Sequence, residues 1–265
     1  MKILDFHTHC FSDAVAERAM AVLTENAQYP PHFDGTLSGL LASMERAGIS
    51  HAVVLNIATN PRQNTAVNNW AIELAKVPNI TAFGSIHPDF ADYKAEITRI
   101  KAAGIRGVKF HPDYMGFFAD DPKAYPIYEE CAAAGLIMLF HCGQDLVPRD
   151  PPKCTPDRFA KLVRDLRGAK LVGAHLGGQM MWDDVFEHLL GKDVYLDTSF
   201  GFKYMTAPQI KRVLDTHDST KILFGTDTPW QDQSIEVEEM SGYVKNKRLY
   251  EMIIWQNGAR LLNLK

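Results

Sequence analysis

The sequence has no excess of basic residues. Its 28 Lys and Arg face 32 Asp and Glu, for a formal net charge of −4. The basic footprint of a nucleic-acid binder is therefore missing. No uninterrupted apolar run approaches the roughly 20 residues of a membrane span, so no membrane partner is expected. Cysteine is scarce. Cys10, Cys131, Cys142 and Cys154 form no CxxC pair and no dense framework, and we read them as reduced thiols of a cytoplasmic protein. The opening residues MKILDFHTHC enter a strand-like pattern at once, without the charged start, apolar run and cleavage site of a signal peptide. Linkers, low-complexity tracts and short repeats are also missing.

What is there is an alternation. The 265 residues are 46% hydrophobic, ample for a large core. Short β-rich runs recur at 2–9, 51–57, 80–87, 105–111, 136–142, 170–176, 193–199 and 221–227. Their mostly continuous apolar character suits strands buried on both faces. Amphipathic stretches lie between them, and several end on glycine just before the next strand, as at Ala47–Gly48, Ala103–Gly104 and Ala134–Gly135. Eight such units predict a single (β/α)8 TIM barrel over residues 1–265, since barrels of about 250 residues are single domains. An open doubly wound sheet is the rival. It would more often carry a Gly-rich phosphate loop after its first strand, and none is present. Long connections at 10–35, 112–122, 143–155 and 228–245 extend from strand carboxyl ends, where barrel active sites are built. The first holds a predicted helix over 13–25 with Ser12 as its cap.

The strand ends carry the chemistry. LDFHTH, FGSIHP, GVKFHP, IMLFHCG and LVGAHLGG each finish on histidine, and ILFGTDTP on aspartate. In a barrel, His7, His9, His111, His141, His175 and Asp227 would surround one mouth. His7 and His9, two apart, share a face of an alternating strand. Two imidazoles with a third and a carboxylate make a nitrogen and oxygen donor set for zinc or a similar divalent ion. The competing reading is a set of hydrogen-bonded core histidines.

HTH, HLGG and GTDTPW at these strand ends resemble the amidohydrolase superfamily. HTHCFSDAVAER, GVKFHP and NGARLLNL are similar to its branch that includes aminocarboxymuconate semialdehyde decarboxylase. The likeness covers nearly the whole chain. It implies one divalent metal, zinc or manganese, held by His7, His9, His141 and Asp227, with His175 and Asp227 as catalytic groups. A metal lowers the pKa of its bound water, Asp227 can take a proton, and His175 can polarise a carbonyl or pass a proton. His175 as a second metal ligand remains open.

Lys109 has three readings: a carboxylated lysine bridging two metals, an anchor for a substrate anion, or a buried ammonium with a carboxylate partner. His111, Arg149 and Trp230 are candidate substrate-binding residues, with Lys153 a further cation near the mouth. Asp5 could orient an imidazole or make a core hydrogen bond elsewhere. His87, before Pro88, reads as a turn residue. The expected activity is hydrolysis of an amide, ester or lactone of a small molecule. The alternatives are non-oxidative decarboxylation of a small carboxylic acid and a metal-binding barrel without turnover. Relatives often pair, which leaves a homodimer open.

Overall fold

The computed structural model describes residues 1–147 and 150–264. Eight parallel strands follow one another around a nearly closed barrel in chain order. They are β1 Leu4–Thr8, β2 His51–Leu55, β3 Ile80–Gly84, β4 Gly107–Phe110, β5 Ile137–Phe140, β6 Lys170–Gly173, β7 Tyr195–Asp197 and β8 Ile222–Leu223. Each lies inside a run expected from sequence and stops short of its carboxyl end. The residues beyond those ends leave the ladder and build the mouth.

The helices are α1 Asp13–Ala27, α2 Leu37–Ala47, α3 Asn64–Leu74, α4 Tyr93–Ala102, α5 Pro112–Met115, α6 Tyr125–Ala133, α7 Pro156–Asp165, α8 Trp182–His188, α9 Ala207–Thr216 and α10 Gln233–Tyr243. Helical residues then continue as Lys247–Glu251, a π-helical turn Met252–Gln256, and Asn257–Leu261. Gly48 closes α2 in the left-handed conformation, at φ 68°, which glycine adopts without steric cost. Ser12 stands at the N-cap position of α1, but its side chain makes no cap bond. The helix is held by backbone bonds from Val15 and Ala16 to the Ser12 carbonyl instead.

Packing separates into two layers. Leu4, Phe6, Val53, Leu55, Phe83, Leu139 and Val172 cluster together. A larger cluster, including Leu40, Val54, Ile100, Val108, Phe140 and Phe159, packs strands against helices. Along β2 and β5, neighbouring residues alternate between the layers, as a pleated strand requires.

Strand β1 breaks that alternation. Leu4 pairs with His51 and Asp5 with Ala52, but Thr8 pairs with Val54, so the register slips by one residue. Such a bulge turns the following side chains over. Phe6 packs into the inner cluster, and its neighbour His7 also reaches the pocket at the mouth. The barrel closes beside this bulge. Phe6 N donates to Phe224 O at 2.8 Å, Asp227 N to His7 O at 2.7 Å and His9 N to Thr228 O at 2.8 Å.

The bulge also settles Asp5. It does not orient an imidazole. Its Oδ2 accepts from Thr226 Oγ1 at 2.6 Å and from Gln233 Nε2 at 2.8 Å. Asp5 thus ties β1 to the segment after β8 and to α10. Burial pushes its carboxyl up to about 6, against the pull of those hydrogen bonds.

Candidate active site

His7, His9 and Asp227 meet where β1 and the segment after β8 leave the barrel. His9 Nε2 lies 3.0 Å and His7 Nε2 3.3 Å from Asp227 Oδ1. The far nitrogens are occupied. His7 Nδ1 is 2.9 Å from Asp197 Oδ2, and His9 Nδ1 is 2.8 Å from the Leu55 carbonyl. Both partners only accept, so each Nδ1 carries a proton and donates it. That leaves both Nε2 atoms turned to one carboxylate oxygen. Burial holds His7 well below the ordinary imidazole value, with the nearby Lys109 acting the same way. Its Nε2 lone pair therefore faces an anionic oxygen, and a cation is what such a pair accommodates.

Asp227 stays ionised. Burial alone would raise it, but His7 and His9 outweigh burial and hold it at about 2. Its backbone is left-handed, at φ 65°, as is that of His175, at φ 56°. This conformation is uncommon outside glycine, though Asp and His adopt it more readily than most. Strained backbone of this kind concentrates at functional sites.

A hydrogen-bonded hub lies behind His7. Ser199 Oγ is 3.1 Å from His7 Nδ1 and 2.9 Å from His175 Nδ1, and it donates to Asp197 Oδ1. Asp197 also accepts from the His175 backbone N–H at 3.1 Å. The carboxylate and the hydroxyl thus connect two strand-end histidines. Burial raises Asp197, while His175 and the Ser199 hydrogen bond oppose it. Neither Asp197 nor Ser199 stood out in sequence. The available signal was a polar DTS ending an otherwise apolar run, at the same strand end as the histidines.

His141 takes a different place. Its Nδ1 is 3.1 Å from His175 Nε2, and its ring stacks on His111, with centroids 4.1 Å apart and planes at 11°. His111 Nε2 is 3.0 Å and His141 Nε2 3.6 Å from Asp145 Oδ2. Asp145 also accepts from Tyr114 Oη and from Val147 N. Like Asp197, it was not singled out in sequence. Among the described residues, His141 Nε2 is a buried nitrogen without a hydrogen-bond partner, as a ligand awaiting an ion would be.

Among the described residues, three groups of donors could hold an ion: His7, His9 and Asp227; His7, His175 and Asp197; and His111, His141 and Asp145. They do not fit equally well. The second group's donors already hydrogen-bond one another through Ser199. In the third, the two Nε2 atoms sit less evenly about Asp145 Oδ2, at 3.0 and 3.6 Å, and the two rings stack face to face. The first group fits best, because its two Nε2 atoms and Asp227 Oδ1 face a common point.

Lys109 is buried, and its Nζ lies 3.4 Å from His7 Nε2. Burial lowers its pKa, and Asp227 and Asp197 oppose that. Trp230, Lys109 and His111 line one pocket of about 720 Å³ with the three clustered residues. Lys153 instead lies 4.5 Å over the Phe118 ring. Arg149 falls outside the described residues. His87 fills the turn role expected of it, its Nδ1 accepting from Asp89 N at 3.1 Å.

Eight parallel strands with imidazoles and a carboxylate gathered at their carboxyl ends define a barrel enzyme with a candidate metal centre. The chain belongs to the amidohydrolase family, whose sequence pattern matches residues 4–264. Solved structures repeat the fold. An uncharacterised TIM-barrel protein from Bordetella bronchiseptica is 20% identical, covering 100% of this chain and 99% of its own, with a TM-score of 0.78. A probable 2-pyrone-4,6-dicarboxylic acid hydrolase from Acinetobacter baumannii is 16% identical, covering 99% and 100%, at 0.67. A manganese-bound 5-carboxyvanillate decarboxylase mutant from Novosphingobium aromaticivorans is 12% identical, covering 99% and 97%, at 0.73. No curated protein matches the chain by sequence. No helix among the described residues is long and apolar enough to cross a membrane.

Proposed function

We propose that the protein is a metal-dependent hydrolase that cleaves an amide, ester or lactone bond in a small carboxylate-bearing molecule. The supporting observation is the convergence of His7 Nε2, His9 Nε2 and Asp227 Oδ1. These residues would hold one divalent ion, and His141, whose buried Nε2 makes no hydrogen bond, is the fourth ligand implied by the family. Imidazole and carboxylate donors suit zinc or manganese. The ion supplies Lewis-acid polarisation and a nucleophile at neutral pH.

The chain's own groups do the rest. Asp197 keeps the proton on His7 Nδ1 and so fixes which nitrogen faces the mouth. Asp227 is ionised; its second carboxylate oxygen, beside the one that would hold the ion, can take the proton of the attacking water and pass it to the leaving group as the scissile bond breaks. His175 has its Nδ1 tied to Ser199 and its Nε2 3.1 Å from His141 Nδ1, so it exchanges a proton with His141, which lines the pocket. Lys109 Nζ is a buried donor beside the cluster and can receive a substrate carboxylate. His111 and Trp230 line the same pocket and bound the substrate there. The location remains cytoplasmic in this reading, and a homodimer is allowed.

A second reading is non-oxidative decarboxylation, which Lys109 supports as well. A carboxy-lyase must hold a carboxylate, and this amine stands 3.4 Å from His7 Nε2. The similar structures described above include a probable hydrolase and a decarboxylase. If Lys109 is instead carboxylated, it would bridge a second ion.

Metal analysis by mass spectrometry, on protein purified without added metal or chelator, tests the reading. About one zinc or manganese per chain is expected, falling in His9→Ala and in His141→Ala. About two would favour the bridged Lys109. None, even after reconstitution with excess metal, would overturn the proposal. Ring-bearing carboxylates assayed for carbon dioxide release beside ester and lactone hydrolysis then separate the two reactions.

A further inference from the structure

Helix α1 presents two apolar surfaces. One is the expected buried side, where Ala16 and Met20 face the barrel. The other consists of Val15, Ala19 and Val22, spaced four and three residues apart and so on one face. Val15 and Val22 are each 50% exposed. All three line the same pocket as the histidine cluster. Opposite them, α3 contributes Ala66, Val67 and Trp70 to that pocket. The Trp70 indole is anchored by its Nε1–H to the Cys10 carbonyl at 3.4 Å.

The pocket is therefore polar at one end and apolar along an arm. Polar groups beside the arm already have partners. Asn56 Nδ2 donates to Phe83 O at 2.8 Å, and Gln63 Oε1 accepts from Thr59 N and Oγ1. Arg18 lies on the same face of α1, between Val15 and Val22, and also lines the pocket; it is exposed, so its stem can cover the arm while its charge stays in water. At about 720 Å³, the pocket exceeds what a single-ring acid needs and falls within the range of larger ligands. An apolar face left open in this way is accounted for when something apolar covers it.

We propose that the substrate carries a hydrocarbon tail, which lies between α1 and α3 while its carboxylate end meets the cluster. This rests on the carboxylate-bearing substrate proposed above and adds the class of molecule: an amphiphilic monocarboxylate rather than a compact, fully polar acid. Val22 and Ala66 then set how long a tail is accepted.

Equilibrium dialysis of acetate, butyrate, hexanoate and octanoate against the protein as purified tests this without turnover. Affinity should rise about threefold to fourfold per methylene, following the transfer energy of a buried CH₂. In Val22→Asp and in Ala66→Trp, the rise should flatten beyond the shorter probes. Val22 and Ala66 are both exposed, so neither change threatens the core. His9→Ala separates this proposal from the cluster reading. It should weaken all four probes by a common factor and keep the slope. A rising slope with no common loss would retain the arm and overturn the carboxylate's place at the cluster. Affinity independent of chain length, no binding of any probe, or an unchanged slope in both variants would overturn the arm.

Discussion

The imidazole of His7 is fixed by Asp197: Nδ1 and Oδ2 lie 2.9 Å apart, and both side chains are buried. The carboxylate can only accept, so the proton sits on Nδ1 and Nε2 is left for the mouth. Asp197→Asn keeps the volume but offers an amide that can donate. The tautomer of His7 is then no longer held. Weakening of metal binding by about 10- to 100-fold is expected, read by competition with a chromogenic chelator, with circular dichroism unchanged. Equal affinity in the variant would transfer the orienting role to Ser199 Oγ, 3.1 Å from the same nitrogen.

Asp227 invites a similar swap for a different reason. It sits at φ 65°, a conformation that Asn tolerates well, so Asp227→Asn should keep the backbone. It removes the negative charge that faces the His7 and His9 Nε2 atoms and the proton acceptor of the proposed reaction. Turnover should fall about 10²-fold or more, while the thermal midpoint moves by no more than a few degrees. A variant that unfolds as it loses activity would make Asp227 a structural tie between the segment after β8 and β1.

The barrel was legible because its signal is redundant. Eight apolar runs separated by amphipathic stretches give the strand order with no knowledge of contacts, and each observed strand lies inside its run. His7, His9 and Asp227 were legible as a group because strand carboxyl ends converge in this architecture. Of the two readings open for Asp5, the core hydrogen bond is the one found; sequence could not choose between them because a one-residue bulge breaks the period of two, and bulges leave little trace in LDFHTH. Asp197 and Asp145 were missed because each acts through a histidine rather than from a motif. His141 shows a related limit: the sequence puts it at the mouth, but only the rings of His111 and His175 determine which way its nitrogens turn.

The loop after β5 is held by close backbone contact. Gly143 has φ 88°, and a Cβ there would sit 2.1 Å from Gln179 N and 2.5 Å from Gln179 O. Its own N–H donates to Cys154 O at 2.9 Å. These are backbone atoms and cannot rotate aside. Gly143→Ala should therefore destabilise by about 2–4 kcal/mol, through strain and loss of the close approach. Chemical denaturation measures it. Gly104→Ala is the control: its φ is 88° as well, but nothing lies within 4 Å of the added Cβ. It should cost only about 1 kcal/mol, the conformational part alone. Equal losses in both would remove the contact between residues 143 and 179 as the cause.

Glu236 on α10 makes stability depend on pH. Burial lifts its carboxyl from the ordinary 4.5 to about 7, with Lys203 Nζ at 3.6 Å opposing the rise. A folded-state value above the unfolded one means that the folded chain binds the proton more tightly. The resulting stability is complete below about 4.5 and is lost as pH rises through about 7. Glu236→Gln removes the titration and keeps the shape. The variant should therefore gain on the parent as pH climbs from 4.5 towards 8, by on the order of 2 kcal/mol at the upper end. Denaturant midpoints at four or five pH values give the comparison. Because Asp5, also raised by burial, titrates in both proteins, only the difference between the curves belongs to Glu236. Parallel curves would mean that Lys203 closes on the ionised carboxylate and offsets the cost of burying it.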